Sequence, residues 1–190
     1  GVVVRWDPKR ISEDFASSAD EADQILTNLV EHADWALFDG GFLSVEDLSQ
    51  RFHERSGLSL DRISEVMFFI RESLELIQPT NDLLIELNRA QVPLFCLSNM
   101  TNFHYDYLKN KYEFFSCFKS VVISEHVKMT KPNEGIYRLA LEQFGLDPRD
   151  TLFVDDKEEN VLAARECGLA SFRFLGTQAC RDRIINFVGM

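Results

Sequence analysis

Two rhythms of apolar residues divide this chain. Between residues 9 and 78 apolar positions recur at helical spacing, and no strand is predicted. "SVEDLSQRFHERSG" sets Val45, Leu48 and Phe52 on one helical face, with Ser44 as N-cap and Gly57 as the stop. "DRISEVMFFIRESLELI" carries Ile63, Val66, Met67, Ile70, Leu74 and Ile77 as one stripe, and a further helix covers Glu21 to Glu31. After Pro79 strands and helices alternate. "NDLLIELNRAQ" is an amphipathic helix opened by Asn81 or Asp82, "VPLFCLS" a strand ending at Ser98, and "SVVIS" a strand ending at Ser124. "KPNEGIYRLALEQFG" is a helix with Pro132 in its first turn and Gly145 at its end. "TLFVD" is a strand, "KEENVLAARECG" a helix closed by Gly168, and "ASFRF" a last strand. "GVVVRWDP" is a short apolar opening that stops at Asp7-Pro8.

Strands that are almost continuously apolar and alternate with helices predict an α/β fold, with a parallel sheet covered on both faces. Residues 9–78 read as a small all-helical unit set into it. Phe68, Phe69, Phe114 and Phe115 read as core packing. Trp35, Phe38 and Phe42 suit either the core or an apolar pocket wall.

Composition narrows the partners. At 190 residues, 45% of them hydrophobic, the chain suffices for one α/β domain with a small insert and buries roughly 70% of its unfolded surface. The four cysteines are scattered without a CxxC pair, which suggests a reduced, cytoplasmic protein. A net charge of -11 argues against nucleic acid and anionic membranes as partners. It leaves room for an anionic substrate where a metal ion or local cations reverse the field. The histidines (His32, His53, His104, His126) are too dispersed for a zinc site. No signal peptide or bilayer-length apolar run is read.

In an open parallel sheet, ligands sit beyond the carboxyl ends of the strands. The residues there are Ser98-Asn99, then Lys128 and Lys131 after the second strand, then Asp155-Asp156. Two carboxylates about 4 Å apart repel by roughly 4 kcal/mol at an effective dielectric of 20. A shared dication removes that cost, and hard oxygen donors in small number suit Mg²⁺ carrying waters and substrate phosphate. Ser98 can donate to a phosphate oxygen and Lys131 supplies a point charge. Each feature also has a plain structural reading: a helix cap for the acidic pair, a turn for Ser98-Asn99, solvated surface for Lys131. Their occurrence together, each at a strand end, points to Mg²⁺-assisted phosphoryl transfer.

These segments resemble the haloacid dehalogenase superfamily of hydrolases. "CLSNMT" is similar to its second motif, "KMTKPNEGIYRLALEQFGLDP" to its third and "TLFVDDKEENVLAARECGLASFRF" to its fourth; "WALFDGGFLSVEDL" resembles the glucose-1-phosphate phosphatase and epoxide-hydrolase-phosphatase branch. The resemblance implies a Rossmann-like core over residues 1–8 and 79–190, and a small helical cap over 9–78. It implies Mg²⁺ at Asp156, with Asp155 supporting or joining it, phosphoryl binding by Ser98 with Asn99 beside it, Lys131 stabilising nucleophile and phosphate, and Asn160 ordering the metal loop. The implied substrate is a small phosphorylated metabolite such as a sugar phosphate, handled by a monomer or homodimer.

The resemblance further implies an aspartate nucleophile at the tip of a central strand, about three residues before Gly1. "GVVVRWDP" is similar to the stretch just after it, so the expectation is a fragment of an active enzyme, inactive as it stands. Without that strand its neighbours lose backbone partners, at roughly 1 kcal/mol or more per unmet buried group. Two alternatives remain: a non-catalytic paralogue that binds or regulates, and a metal-free 2-haloacid dehalogenase, which the acidic pair disfavours.

Overall fold

The computed structural model describes residues 1–190. Its first third is helical: α1 (Pro8–Phe15), α2 (Ala19–Ile25) running into a π-turn over Leu26–Val30, α3 (Ala33–Asp39), α4 (Val45–Ser56) and α5 (Leu60–Glu72). Local chemistry sets these ends. Asp7 caps α1 by accepting from the Arg10 N–H, with Pro8 in the first turn. Ser44 and Asp47 form a reciprocal capping box on α4, which ends at Gly57 with φ 72°. The apolar stripe on α5 outlasts its helix. The helix stops at Glu72, and Leu74 turns into a different apolar cluster. A cluster built from Ile25, Leu29, Phe38, Leu48, Phe52, Ile63 and Ile70, all 2% exposed or less, gives this helical unit its own core.

The remainder alternates. α6 (Gln78–Arg89) leads to β1 (Phe95–Ser98), α7 (Asn102–Lys111) to β2 (Ser120–Ile123) and a short α8 (Ser124–Val127). α9 (Glu134–Phe144) leads to β3 (Leu152–Asp155), α10 (Glu158–Glu166) to β4 (Ala170–Arg173) and α11 (Gln178–Val188). α6 starts before Asn81, with Pro79 in its first turn. α9 starts after Pro132, because Asn133 is the residue whose side chain caps it at the Gly135 N–H. The stretch Gly1–Trp6 forms no strand of its own, only an isolated antiparallel bridge between Val4 and Leu76.

The strands are parallel, as the apolar runs predict, but they form two separate pairs, β1 with β2 and β3 with β4. The pairs share their covering layers. Leu83 and Leu87 of α6 and Ile184 of α11 cover Leu94, Leu152 and Val154, while Ile136 of α9 and Ala164 of α10 cover Leu97 and Phe153. β1 and β3 therefore flank a slot. Along parallel strands successive residues direct their backbone groups to opposite edges. The Leu94 carbonyl accepts from the Lys119 N–H, toward β2, and the Asp155 carbonyl accepts from the Phe174 N–H, toward β4. Phe95, Leu97, Leu152 and Val154 thus turn theirs into the slot. Every residue of β1 remains half-buried, despite the apolar run that predicts a covered strand.

Candidate active site

A cavity of about 1310 Å³ extends from this slot to the carboxyl ends of β1 and β3. That exceeds the roughly 300–1,000 Å³ of an ordinary small-molecule pocket, so slot and site are continuous. Ser98, Asn99, Lys131, Asp155, Asp156 and Asn160 all line it. Of the strand-end residues expected to converge, all but Lys128 do so.

Asp155 closes β3 and is 4% exposed. Its Oδ2 accepts from Lys131 Nζ at 2.6 Å, and its Oδ1 accepts from the Lys157 N–H and from Asn160 Nδ2, each at 2.9 Å. Burial pushes its pKa up, but the Lys131 ammonium and these hydrogen bonds outweigh burial and hold it below the usual carboxylate range. Asn160 is anchored in turn, because its carbonyl accepts from Tyr137 Oη at 2.9 Å.

Lys131 spans the slot. Its Nζ also donates to the Leu97 carbonyl on the open edge of β1, at 2.9 Å. Asn99 fixes the lysine's backbone on both sides: Asn99 Nδ2 donates to the Lys131 carbonyl at 2.9 Å, and the Lys131 N–H donates to Asn99 Oδ1 at 2.8 Å. Both polar atoms of the Asn99 amide are therefore engaged with Lys131. Ser98 ends β1 half-buried on the cavity wall.

Adjacent to Asp155, Asp156 faces outward, its side chain 37% exposed, and its Oδ2 accepts from the Gly1 ammonium at 2.7 Å. The two neighbouring acids thus occupy different surroundings. Lysine neutralises the buried one, and the exposed one keeps open acceptor positions. No group of three or more His, Cys, Asp or Glu side chains is placed to hold a metal by itself.

Lys128 departs from the expected crevice. Its Nζ donates to the Gly41 carbonyl, in the turn after α3. Beside it Ser124 Oγ donates to the Asp39 carbonyl. These bonds fasten the helical unit over the cavity and set Asp39 on its wall. Asp39 was not legible as a site residue from helical periodicity; its one signal is an acid at a helix end followed by Gly40-Gly41. Trp35 and Phe38 are core residues, 7% and 2% exposed, whereas Phe42 is 59% exposed.

The family model for haloacid dehalogenase-like hydrolases matches residues 10–168. The chain belongs to that family of hydrolases. Among curated proteins it is similar to the drimenol cyclase drtB of Aspergillus calidoustus, 23% identical over 99% of this chain and 35% of that protein. It thus spans about a third of that relative's length. It is also similar to the sesquiterpene phosphatase astK of Aspergillus oryzae, 25% identical over 100% of this chain and 93% of that one. A solved HAD family enzyme of Bacteroides thetaiotaomicron, in complex with magnesium and inorganic phosphate, superposes with a TM-score of 0.74 at 24% identity, covering 94% of this chain and 91% of that one. A HAD-like family hydrolase of Porphyromonas gingivalis superposes with a TM-score of 0.76 at 22% identity, covering 100% and 93%. These two likenesses establish the fold. No helix is long and apolar enough to cross a membrane.

Proposed function

We propose that this chain supplies the phosphoryl- and metal-binding side of a phosphomonoester hydrolase acting on a small phosphorylated metabolite. The observation that carries the reading is the convergence of Ser98, Lys131, Asp155 and Asp156 on one cavity at the ends of β1 and β3. The sesquiterpene phosphatase among the relatives supports the reaction class.

Each residue has a distinct task. The Ser98 hydroxyl donates to a phosphoryl oxygen. Lys131, held in place by Asn99 and Asp155, offsets the equatorial charge that the transferring group spreads over its oxygens. Asp155 positions Lys131 and, through Asn160, the turn that follows β3. Asp156 fits Mg²⁺: it is an outward carboxylate with open acceptor positions, and Mg²⁺ takes one or two carboxylates while keeping waters and substrate phosphate. Bound there, Mg²⁺ would supply charge neutralisation at the phosphoryl group. The helical unit over residues 9–78 acts as the cap that excludes water.

The nucleophile in this reading is an aspartate on a strand seated in the slot, parallel to β1 and β3. Such a strand would satisfy the open groups of Phe95, Leu97, Leu152 and Val154 and end between Ser98 and Asp155. The test compares two polypeptides, the 190 residues alone and the same chain preceded by an apolar strand ending in Asp-x-Asp. The first binds inorganic phosphate in the presence of magnesium without turnover. The second hydrolyses a panel of phosphomonoesters and loses activity with EDTA. Phosphate binding by neither polypeptide refutes the assignment. Binding without turnover by both favours a non-catalytic phosphate-binding module.

A further inference from the structure

The turn after β3 receives one contact from the neighbouring strand that the pairing of the strands does not require. Arg173 closes β4, in register with Asp155, and is exposed. Its guanidinium pairs with no carboxylate and makes a single hydrogen bond, from Nε to the Asp156 carbonyl at 2.8 Å. Ordering a long, exposed side chain on a backbone carbonyl costs rotamer freedom, so the contact calls for a reason.

The reason lies in what else holds Asp156. Two peptide planes flank its Cα. The first carries the Asp155 carbonyl, which accepts from the Phe174 N–H at 2.8 Å. The second carries the Asp156 carbonyl and the Lys157 N–H. Its N–H donates to Asp155 Oδ1 at 2.9 Å, and its carbonyl accepts from Arg173. No backbone N–H reaches that carbonyl, because α10 opens only at Glu158 and the Val161 N–H takes the Lys157 carbonyl instead. Arg173 is therefore its one partner in the fold. With both planes held, φ and ψ at Asp156 are set, and with them the direction in which its side chain leaves the backbone. The carboxylate itself, 37% exposed, accepts only from the Gly1 ammonium, so no side chain aims it directly.

We propose that Arg173 is a positioning residue for Asp156: its hydrogen bond to the Asp156 carbonyl aims the carboxylate and so raises the affinity of the site for a divalent cation. The inference rests on the reading of Asp156 as the Mg²⁺-binding carboxylate and assigns the residue that orients it. Groups that orient a metal ligand from behind commonly control affinity by roughly ten- to a hundredfold. The charge of Arg173 acts in the opposite sense, since a cation beside the site repels a dication. The two roles predict opposite changes on substitution. Loss of a positioning bond weakens metal binding, whereas loss of a charge alone strengthens it.

Electron paramagnetic resonance of free Mn²⁺, titrated with the 190-residue chain, tests this. Mn²⁺ shares the preference of Mg²⁺ for carboxylate and water. Arg173→Leu removes both donor and charge. Arg173→Gln removes the charge but keeps a donor, because the glutamine Nε2 stands as many bonds from Cα as the arginine Nε. Urea melts in EDTA report that each variant is folded where the metal is titrated. Arg173→Thr, suited to a strand and too short to reach the carbonyl, replaces Arg173→Leu if the latter does not fold. Arg173→Leu should weaken Mn²⁺ binding about tenfold, and Arg173→Gln should stay within about twofold of wild type or bind more tightly. Binding by Arg173→Leu as tight as wild type or tighter, or by Arg173→Gln as weak as Arg173→Leu, overturns the inference alone. Wild type that does not bind Mn²⁺, or Asp156→Asn that binds it as tightly as wild type, overturns the metal reading of Asp156 and this inference with it.

Discussion

The pairing of Lys131 with Asp155 is open to a quantitative test. Both side chains are nearly removed from water, at 9% and 5% exposure, and their charged atoms lie 2.6 Å apart. At an effective dielectric of 20 the attraction is about 6 kcal/mol, before the desolvation of both groups is set against it. Lys131→Met keeps most of the stem's packing and removes the charge. Asp155 then retains only the Lys157 N–H and Asn160 as partners, with burial opposed by no cation. Leaving one member of a buried pair costs about 3–5 kcal/mol. Replacing the second member, Asp155→Asn, in that background should recover a large part of the loss, giving a coupling of about 2–3 kcal/mol. Urea denaturation of wild type, both single variants and the double variant closes the cycle. Single costs that add to within about 0.5 kcal/mol would refute the pairing as the basis of Asp155's ionisation. The sign in pH is also set. Asp155 has a depressed pKa in the folded state, so its contribution is present above its unfolded value near 3.8 and lost as pH falls through the lower, folded value. In Lys131→Met the folded value rises toward or past the unfolded one, so that acid-dependent loss should shrink.

Three further outcomes follow from other parts of the molecule. His104 is buried and, through burial and then the Arg71 charge, held near pKa 4 against 6.5. The unfolded chain takes up the proton first, so stability should fall by about 3 kcal/mol as pH drops from 6.5 to 4, and His104→Leu should flatten that slope in acid-dependent urea melts. Gly41→Ala combines a positive φ with a Cβ clash against Glu125 and Lys128, and should cost about 1–3 kcal/mol in the same assay. Ser44→Ala removes both the hydroxyl acceptor and its half of the capping box on α4, and thermal melts should report a loss of about 1 kcal/mol.

Local chemistry made much of the fold readable. The caps at Ser44 and Gly57 act within one turn of chain, so the ends of α4 stand where those residues put them. The four strands were legible because buried parallel strands must be apolar along nearly their whole length. Helix ends that depend on tertiary contacts were less so. The α5 stripe continues in sequence to Ile77 while the helix stops at Glu72, because Leu74 packs on α6 and the Phe114–Phe115 segment instead. α3 and α11 have no pattern as regular as α4 and α5 and escaped prediction.

The residue types alone determined an acidic α/β chain with a serine, a lysine and two aspartates at the ends of its strands, since hydrophobic period and turn chemistry are properties of neighbours along the backbone. Only the tertiary structure decided which aspartate meets the lysine, that Asn99 holds Lys131 by its backbone, and that the sheet stands as two pairs around a slot. It also brought Asp39 from the helical unit to the cavity, more than fifty residues from any other member of the site. The physical reason is range. Desolvation and charge pairing depend on what lies within a few ångströms in space, and a linear sequence does not state those distances.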